Sequence, residues 1–180
     1  HVMTASRRLR SLLLIAAAAL VGAAGAQGPV AGTLRVAFPI AENGFDPQAI
    51  YDAYSARVCN AIFDPLYTYD YFARPARLVP HTADGLPLIG DGGRTYTIKV
   101  RRGIHFAPHP AFGNAKRELT AEDYVYSIKR ILDPQVRSYS LHLLESRLVG
   151  LDAVLAEARR AGRLDYAAPI EGLKAVDRYT

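Results

Sequence analysis

The chain has 180 residues, of which 50% are hydrophobic and 22% charged, with a formal net charge of +5 at pH 7. This composition predicts a globular chain of about one domain. Three of the 22 Lys and Arg residues, Arg7, Arg8 and Arg10, lie in the acid-free first 26 residues. The rest of the chain contains 19 basic and 17 acidic residues. Because these charges nearly balance, no basic surface for nucleic acid is expected.

Cys59 is the only cysteine, which excludes an internal disulfide and a cysteine-based metal cluster. It lies in apolar sequence, and we expect it to be a small buried residue. His105 and His109 have the spacing of one helical turn, but Pro108 and Pro110 exclude a regular helix that would place both on one face. The sequence therefore predicts no metal site, no cofactor and no catalytic residue.

Residues 1–26 have an arginine-rich start, an apolar run from Leu12 to Val21 and small residues at the end. This order predicts a secretory signal peptide that is cleaved before Gln27. The apolar run is well short of the roughly 20 residues that a membrane span needs. His1 and Val2 precede Met3 and are expected to be extraneous, and residues 27–32 are expected to form a flexible leader.

The mature chain is expected to open with a strand from Thr33 to Ile40, where apolar residues alternate with polar or small ones. An Asn-Gly and an Asp-Pro pair then mark a loop. Loops at the carboxyl ends of strands are where open α/β sheets bind ligands. The loop is thus either a binding segment or a plain connection. Its candidate residues are Glu42, Asn43, Gly44 and Phe45.

From Asp52 onward, apolar residues at helical spacing predict a first helix that ends at Asp64-Pro65. Its expected inward face consists of Tyr54, Val58, Ala61 and Ile62. Beyond the helix, tyrosines at alternate positions predict a strand face, which is either a structural aromatic row or a ligand platform. These tyrosines are Tyr67, Tyr69 and Tyr71.

The clearest helix signal lies between Arg117 and Pro134. Thr120 and Asp123 have the spacing of a capping box, and Asp133-Pro134 ends the helix. The expected apolar stripe is Tyr124, Val125, Ile128, Ile131 and Leu132, with Lys129 and Arg130 largely off it. Just before this helix, alternation from Arg94 to Phe106 predicts a strand whose buried face is Tyr96, Ile98 and Val100.

Two further helical stretches are predicted between Val136 and Tyr166, one of them near Leu151, where apolar residues again recur at steps of three and four. The expected stripe of that helix is Leu151, Val154, Leu155 and Ala158. Gly162 follows the stripe and is expected to end the helix. The charged residues on its other face predict a solvated surface.

The strand TYTIKVRRGIHF, followed by the helix LTAEDYVYSIKRILDP, resembles the signature of the bacterial extracellular solute-binding proteins of family 5. The segment from Gly103 to Glu118 departs from the family pattern, because it is longer and lacks an Asp-Gly pair. The resemblance implies an α/β fold of the periplasmic binding protein type II class, with two lobes hinged around the ligand. Residues 33–180 would then be the N-terminal part of the first lobe, truncated at the C-terminus.

The resemblance also implies a function: the substrate-binding component of an ABC importer, which captures short peptides in the periplasm and delivers them to the membrane permease. It implies a monomer that binds no nucleic acid and has no enzymatic activity. The ligand residues it implies are Glu42, Asn43, Gly44 and Phe45, with Tyr139 from the later tyrosine-containing loop. Alternatives are a nickel complex, an opine or a sugar as ligand, a chaperone-like periplasmic domain, and an exported hydrolase, for which no G-x-S-x-G or H-E-x-x-H motif is present.

Overall fold

A computed structural model describes residue 32 and residues 35–180. Helices α1 (Ala53–Ile62), α2 (Ala121–Ile131) and α3 (Leu151–Ala161) lie in this part of the chain. It also contains two antiparallel hairpins, in which β1 (Tyr67–Tyr69) pairs with β2 (Leu78–Pro80) and β3 (Leu88–Gly90) pairs with β4 (Thr95–Thr97). The described chain therefore contains both helices and strands, which agrees with the α/β class that was predicted.

The predicted signal peptide lies outside the described residues, as do all of the predicted leader but Gly32 and the first two residues of the predicted first strand. From Phe38 to Thr180 the chain forms one structural unit. None of the helices in the described part is both long enough and apolar enough to cross a membrane.

Helix α2 begins and ends where the sequence predicts. The Asp123 carboxylate accepts hydrogen bonds from the Thr120 backbone N–H at 2.8 Å and from its hydroxyl at 2.9 Å, which fixes the first turn. Val125 and Leu132 are buried, as expected for the stripe. Glu122 and Asp123 lie in the first turn, and two basic residues lie in the last, which suits the helix dipole.

The prediction that Lys129 lies off the buried face is wrong. Only 8% of Lys129 is exposed. Its ammonium group donates to the carbonyl oxygens of Tyr166 at 2.8 Å and Ala168 at 2.9 Å. Two carbonyl acceptors compensate for the loss of water around the charge, so the lysine joins the end of α2 to a segment far along the chain.

Helix α1 has the predicted position, but its inward face differs from the prediction. Ser55 and Cys59 are the buried residues, whereas Ile62 is exposed. The buried Cys59 confirms the expectation of a small core residue. The face is rotated because the buried Ser55 hydroxyl accepts from the N–H of Asn43 in the preceding loop and donates to the N-cap Asp52, which holds this side of the helix inward.

The strand predicted from Arg94 to Phe106 is much shorter in the structure. Strand β4 ends at Thr97, where its three-residue pairing with β3 also ends. Val100 is buried and forms an isolated bridge with Ala83, whereas Tyr96 is 59% exposed. The alternation of apolar and polar residues predicted one long strand. A strand, however, extends only as far as a neighbouring strand forms hydrogen bonds with it.

The strand predicted from Thr33 to Ile40 is not observed for residues 35–40. An alternating pattern indicates strand propensity, but a strand also needs a paired neighbour, and no described segment pairs with these residues. The ring of Phe38 lies 5.3 Å from that of Tyr54 on α1. Phe38 is thus held by a helix and not by a sheet.

The main core lies where α3 meets the end of α2. The predicted stripe of α3 is confirmed for Leu151, Leu155 and Ala158, which are buried. Gly162 adopts a left-handed conformation with φ of 71° directly after the helix, as expected for a helix stop. The buried residues of this core are Leu132, Leu151, Leu155, Ala158, Leu164 and Ile170.

The last residues of the chain fold back beside α2. The N–H of Val100 donates to the carbonyl of Tyr179 at 2.7 Å, and that of Ala121 donates to Arg178 at 2.9 Å. Glu118 accepts from Arg178 at 3.1 Å and from the Tyr179 hydroxyl at 3.0 Å. The N–H of Gly103, followed by these two groups, lowers the pKa of Glu118 to about 2.

Candidate ligand-binding surface

The predicted binding loop, Glu42 to Phe45, connects the non-strand segment around Phe38 to α1. Glu42 and Asn43 are exposed, and so is half of the Phe45 side chain. Gly44 has φ of 146°, a conformation that favours glycine. Since no atom lies within 4 Å of the position that a Cβ would occupy there, the backbone angle and not a lack of space calls for glycine.

The loop is attached to the N-terminus of α1. The backbone N–H of Asn43 donates to the Ser55 hydroxyl at 2.8 Å. That hydroxyl donates in turn to Asp52, whose carboxylate also accepts from the N–H groups of Tyr54 and Ser55 at 2.9 Å. Asp52 is therefore the N-cap of α1, and one network fixes both the helix start and the loop.

A second attachment joins the loop to α2. The guanidinium of Arg130 makes a two-point contact with the Asp46 carboxylate, in which Nη1 lies 2.9 Å from Oδ1. The Asp46 carbonyl accepts from Ala49 at 3.0 Å and Ile50 at 3.2 Å, which forms the turn before α1. The hydrogen bond from Arg130 lowers the pKa of Asp46 below its ordinary value of 3.8.

The ring of Tyr139 contacts the ring of Tyr51. Its ring centroid is 5.1 Å from that of Tyr51, with an angle of 52° between the planes. Tyr51 directly precedes the N-cap Asp52. Tyr139 is therefore connected to the loop indirectly, through Tyr51 and the N-terminus of α1.

Sequence reasoning missed Tyr51 and the two attachments. Tyr51 belongs to the short phrase YDAY at the start of α1, and its position before an Asp N-cap is the signal that could have singled it out. The pairing of Asp46 with Arg130 spans 84 residues. Neither residue carried a local motif that would have predicted it.

The three tyrosines predicted to form one row after α1 differ in position and in exposure. Tyr67 and Tyr69 lie on β1, and Tyr71 lies beyond the strand in the hairpin loop. Tyr67 is half-buried, whereas Tyr69 and Tyr71 are exposed. The ring of Tyr71 contacts Phe72 edge-on, with centroids 5.1 Å apart. The strand assignment is confirmed for Tyr67 and Tyr69.

Two cavities in the described part of the chain lie elsewhere. One of about 620 Å³ runs along α3 and is lined by residues such as Val154, Glu157 and Leu164. The other, of about 430 Å³, lies between β4, α2 and the last residues of the chain. The predicted ligand residues line neither of them. Glu42, Asn43, Phe45 and Tyr139 are instead exposed.

The two histidines of the segment from Gly103 to Glu118, which departs from the family pattern, have hydrogen-bond partners close by in the sequence. The Nδ1 atom of His105 lies 2.9 Å from the Gly103 carbonyl, and Nδ1 of His109 accepts from the N–H of Ala111 at 3.2 Å. Across the described residues, no group of three or more histidine, cysteine, aspartate or glutamate side chains could hold a metal ion.

Replacing Asp46 with asparagine is expected to loosen the loop. The substitution removes the charge that Arg130 holds, and for a partly exposed pair the expected loss of unfolding free energy is about 1 kcal/mol. Because folding lowers the pKa of Asp46, the stabilisation is present above its ordinary value of 3.8 and is lost as the pH falls below it. Urea denaturation of both proteins as a function of pH measures the loss.

Glu157→Gln is the matched control, since Glu157 forms an exposed pair with Arg160 within α3. It is expected to leave the stability nearly unchanged, because water screens the attraction between exposed charges. Hydrogen exchange should also be faster at the N–H groups of Ala49 and Ile50 in D46N, because their turn is tied to Asp46. Equal stability of D46N and the wild type would contradict the assigned role of this pair.

Comparison with known proteins relates the chain to peptide-binding proteins of Pseudomonas aeruginosa strain UCBPP-PA14. It is 33% identical to "Di/tripeptide-binding protein 2" over 135 residues, which is 74% of this chain and 24% of the relative. It is 32% identical to "Probable di/tripeptide-binding protein 5" over 111 residues, or 61% of this chain and 20% of that one.

A third relative, "Di/tripeptide-binding protein 3" of the same strain, is 30% identical over 126 residues, which is 65% of this chain and 22% of the relative. The chain is a distant homologue of di/tripeptide-binding proteins. The predicted resemblance to the family 5 solute-binding proteins is confirmed as homology over part of their length. The chain spans between a fifth and a quarter of the curated relatives it matches.

No family model matches the sequence. No solved structure matches it either. The relationship therefore rests on the sequence alignments with these relatives.

Proposed function

We propose that this chain is part of the substrate-binding component of an ABC importer, which captures short peptides in the periplasm and delivers them to a membrane permease. The observation that carries the proposal is the 33% identity over 135 residues to a protein named for di- and tripeptide binding. The relatives bear the names of binding proteins and not of enzymes. No catalytic step is therefore part of the proposal.

The proposed architecture follows from the same homology. Residues 33–180 would form the N-terminal part of the first lobe of a two-lobed periplasmic binding protein of type II. The predicted signal peptide at residues 1–26 would direct export, and residues 27–32 would link it to the folded chain. Two lobes that close about a hinge would enclose the ligand and present it to the permease.

The candidate surface supplies a means of binding an extended peptide. The loop from Glu42 to Phe45 is held at both ends, by Ser55 and by Arg130, so its backbone groups are already ordered. Ordered backbone N–H and C=O groups, apart from the Asn43 N–H that Ser55 already binds, can pair with the main chain of a peptide whatever its side chains. The exposed carboxylate of Glu42 would attract the peptide's amino terminus, and Tyr139 would contact a side chain.

The test is thermal unfolding of the protein, purified as its gene encodes it, with a panel of di- to pentapeptides, Ni²⁺ and sugars. A ligand at 100 times its Kd stabilises the folded state by about 2.7 kcal/mol, which raises the melting temperature. We expect the rise with dipeptides and tripeptides, with free amino acids as the matched negative control. Circular dichroism should establish beforehand that the protein unfolds cooperatively.

The outcomes separate the alternatives. A rise with peptides alone supports the proposed function and gives the preferred peptide length. A rise with Ni²⁺ or a sugar alone would replace the peptide by that ligand. No rise with any compound, from a cooperatively folded protein, would overturn the transport proposal.

A further inference from the structure

Tyr51 and Tyr139 form an exposed aromatic pair at the candidate surface. Although their ring centroids are 5.1 Å apart, 67% of Tyr51 and 63% of Tyr139 remain exposed. The contact between the rings therefore leaves most of their apolar area facing solvent. Large exposed aromatic groups that are held in place are typical of binding surfaces.

Both rings are carried by ordered backbone. Tyr51 directly precedes Asp52, whose carboxylate accepts two backbone N–H groups of α1 at 2.9 Å. The carbonyl of Tyr139 lies 2.9 Å from Nδ1 of His142, and the N–H of Ser140 donates to the Ser138 hydroxyl at 3.2 Å. Two anchored chain segments thus hold the pair, so little conformational freedom is lost when a ligand contacts it.

We propose that Tyr51 is a specificity-determining residue, whose ring forms with that of Tyr139 a platform for an aromatic side chain of a bound di- or tripeptide. This inference rests on the proposed function and adds to it a residue and a class of preferred peptide. The reason lies in the geometry, because two rings inclined at 52° offer a third ring both a face and an edge. Aromatic rings prefer such offset or edge-to-face contacts.

The platform is connected to the loop that carries the other candidate residues through the N-terminus of α1. Asp52 accepts from Ser55, and the Ser55 hydroxyl accepts from the N–H of Asn43. A peptide whose main chain runs along Asn43 and Gly44 could therefore place a side chain on the pair. The loop would contribute to the affinity for every peptide, and the pair would contribute to the preference among them.

The experiment measures calorimetric Kd values of Phe-Ala, Ala-Phe and Ala-Ala for the protein as its gene encodes it. We expect Tyr51→Leu to weaken binding of the preferred phenylalanine dipeptide by about 2- to 12-fold, the range that one aromatic contact supplies. Binding of Ala-Ala should stay nearly unchanged. Tyr51→Phe, which keeps the ring, should preserve the preference.

Tyr126→Leu is the matched control. Its ring is also half exposed and lies 5.2 Å from that of Tyr166, but it is carried by α2 and not by the loop or α1. We expect it to leave the ratio between the Kd values of the phenylalanine dipeptide and Ala-Ala unchanged. An equal change of that ratio in Y126L and Y51L would overturn the role of Tyr51.

The two proposals fail in different ways. If the wild type binds peptides and Y51L keeps the wild-type ratio of Kd values, the role of Tyr51 is overturned and the proposed function stands. Equal weakening of all peptides in Y51L would also overturn it, because that result indicates a role in shape alone. If the folded wild type binds no peptide, both proposals are overturned together.

Discussion

Replacing Leu132 with alanine is expected to lower the free energy of unfolding by about 2 to 5 kcal/mol. Leu132 follows the last turn of α2 and is only 1% exposed. It packs in the core that also contains Leu151 and Leu155 of α3. Its truncation would remove apolar contacts and leave a cavity in this core, where rigid neighbours allow little collapse. Equilibrium urea denaturation measures the change.

Leu86→Ala serves as the control for this substitution. Leu86 is 60% exposed, and its truncation is expected to change the stability by no more than about 0.5 kcal/mol. The same number of atoms is removed in both variants, so the comparison isolates burial. Similar losses in L132A and L86A would contradict the assignment of Leu132 to the main core.

Helices α2 and α3 could be predicted because their signals are local. The reach of Asp123 back to Thr120 needs only four consecutive residues, and the proline at 134 acts on the residue before it. Gly162 ends α3 in the same way, through its own backbone angle. Such features depend on neighbours in sequence, which is the information that one sequence contains.

Features that depend on distant residues could not be predicted. Lys129 is buried because the carbonyls of Tyr166 and Ala168 accept from it, 37 and 39 residues along the chain. A lysine among apolar residues otherwise indicates a solvated position. The inward face of α1 was likewise decided by Ser55, whose partner Asn43 lies 12 residues earlier.

The candidate surface combines both kinds of information. Its loop could be located from Asn43-Gly44 and Asp46-Pro47, which are turn signals, and the resemblance added the expectation of ligand binding. What orders the loop, the contact of Asp46 with Arg130, became visible only in the folded chain. The contact between Tyr51 and Tyr139 has the same origin, because the two rings come from separate segments.

Replacing Asp133 with alanine is expected to lower the free energy of unfolding by about 2 to 4 kcal/mol, because three donors, among them the buried N–H of Leu164, lose their acceptor. Asp133 is buried at the end of α2. Its carboxylate accepts from the Tyr166 hydroxyl at 2.8 Å, from the N–H of Gln135 at 3.0 Å and from that of Leu164 at 3.3 Å. Urea denaturation again measures the loss.

A spectroscopic signal should accompany the loss of stability. Burial, together with the hydrogen bond to Asp133, raises the pKa of Tyr166 to about 12. Without the carboxylate, the phenolate form of Tyr166 is no longer opposed by a neighbouring negative charge, so its pKa should fall towards the ordinary value of 10.0. Ultraviolet difference titration of D133A against the wild type follows this change.

The control is Tyr166→Phe, which removes one donor and leaves Asp133 with two backbone N–H partners. It is expected to lower the free energy of unfolding by about 1 kcal/mol, since one hydrogen bond is lost while the buried N–H of Leu164 keeps its acceptor. The backbone carbonyl of Asp133 also accepts a hydrogen bond from the N–H of Val136 at 3.0 Å, at the start of the segment that leads to Tyr139. If D133A were no less stable than Y166F, the carboxylate would not be the group that holds Leu164 and Gln135 in place.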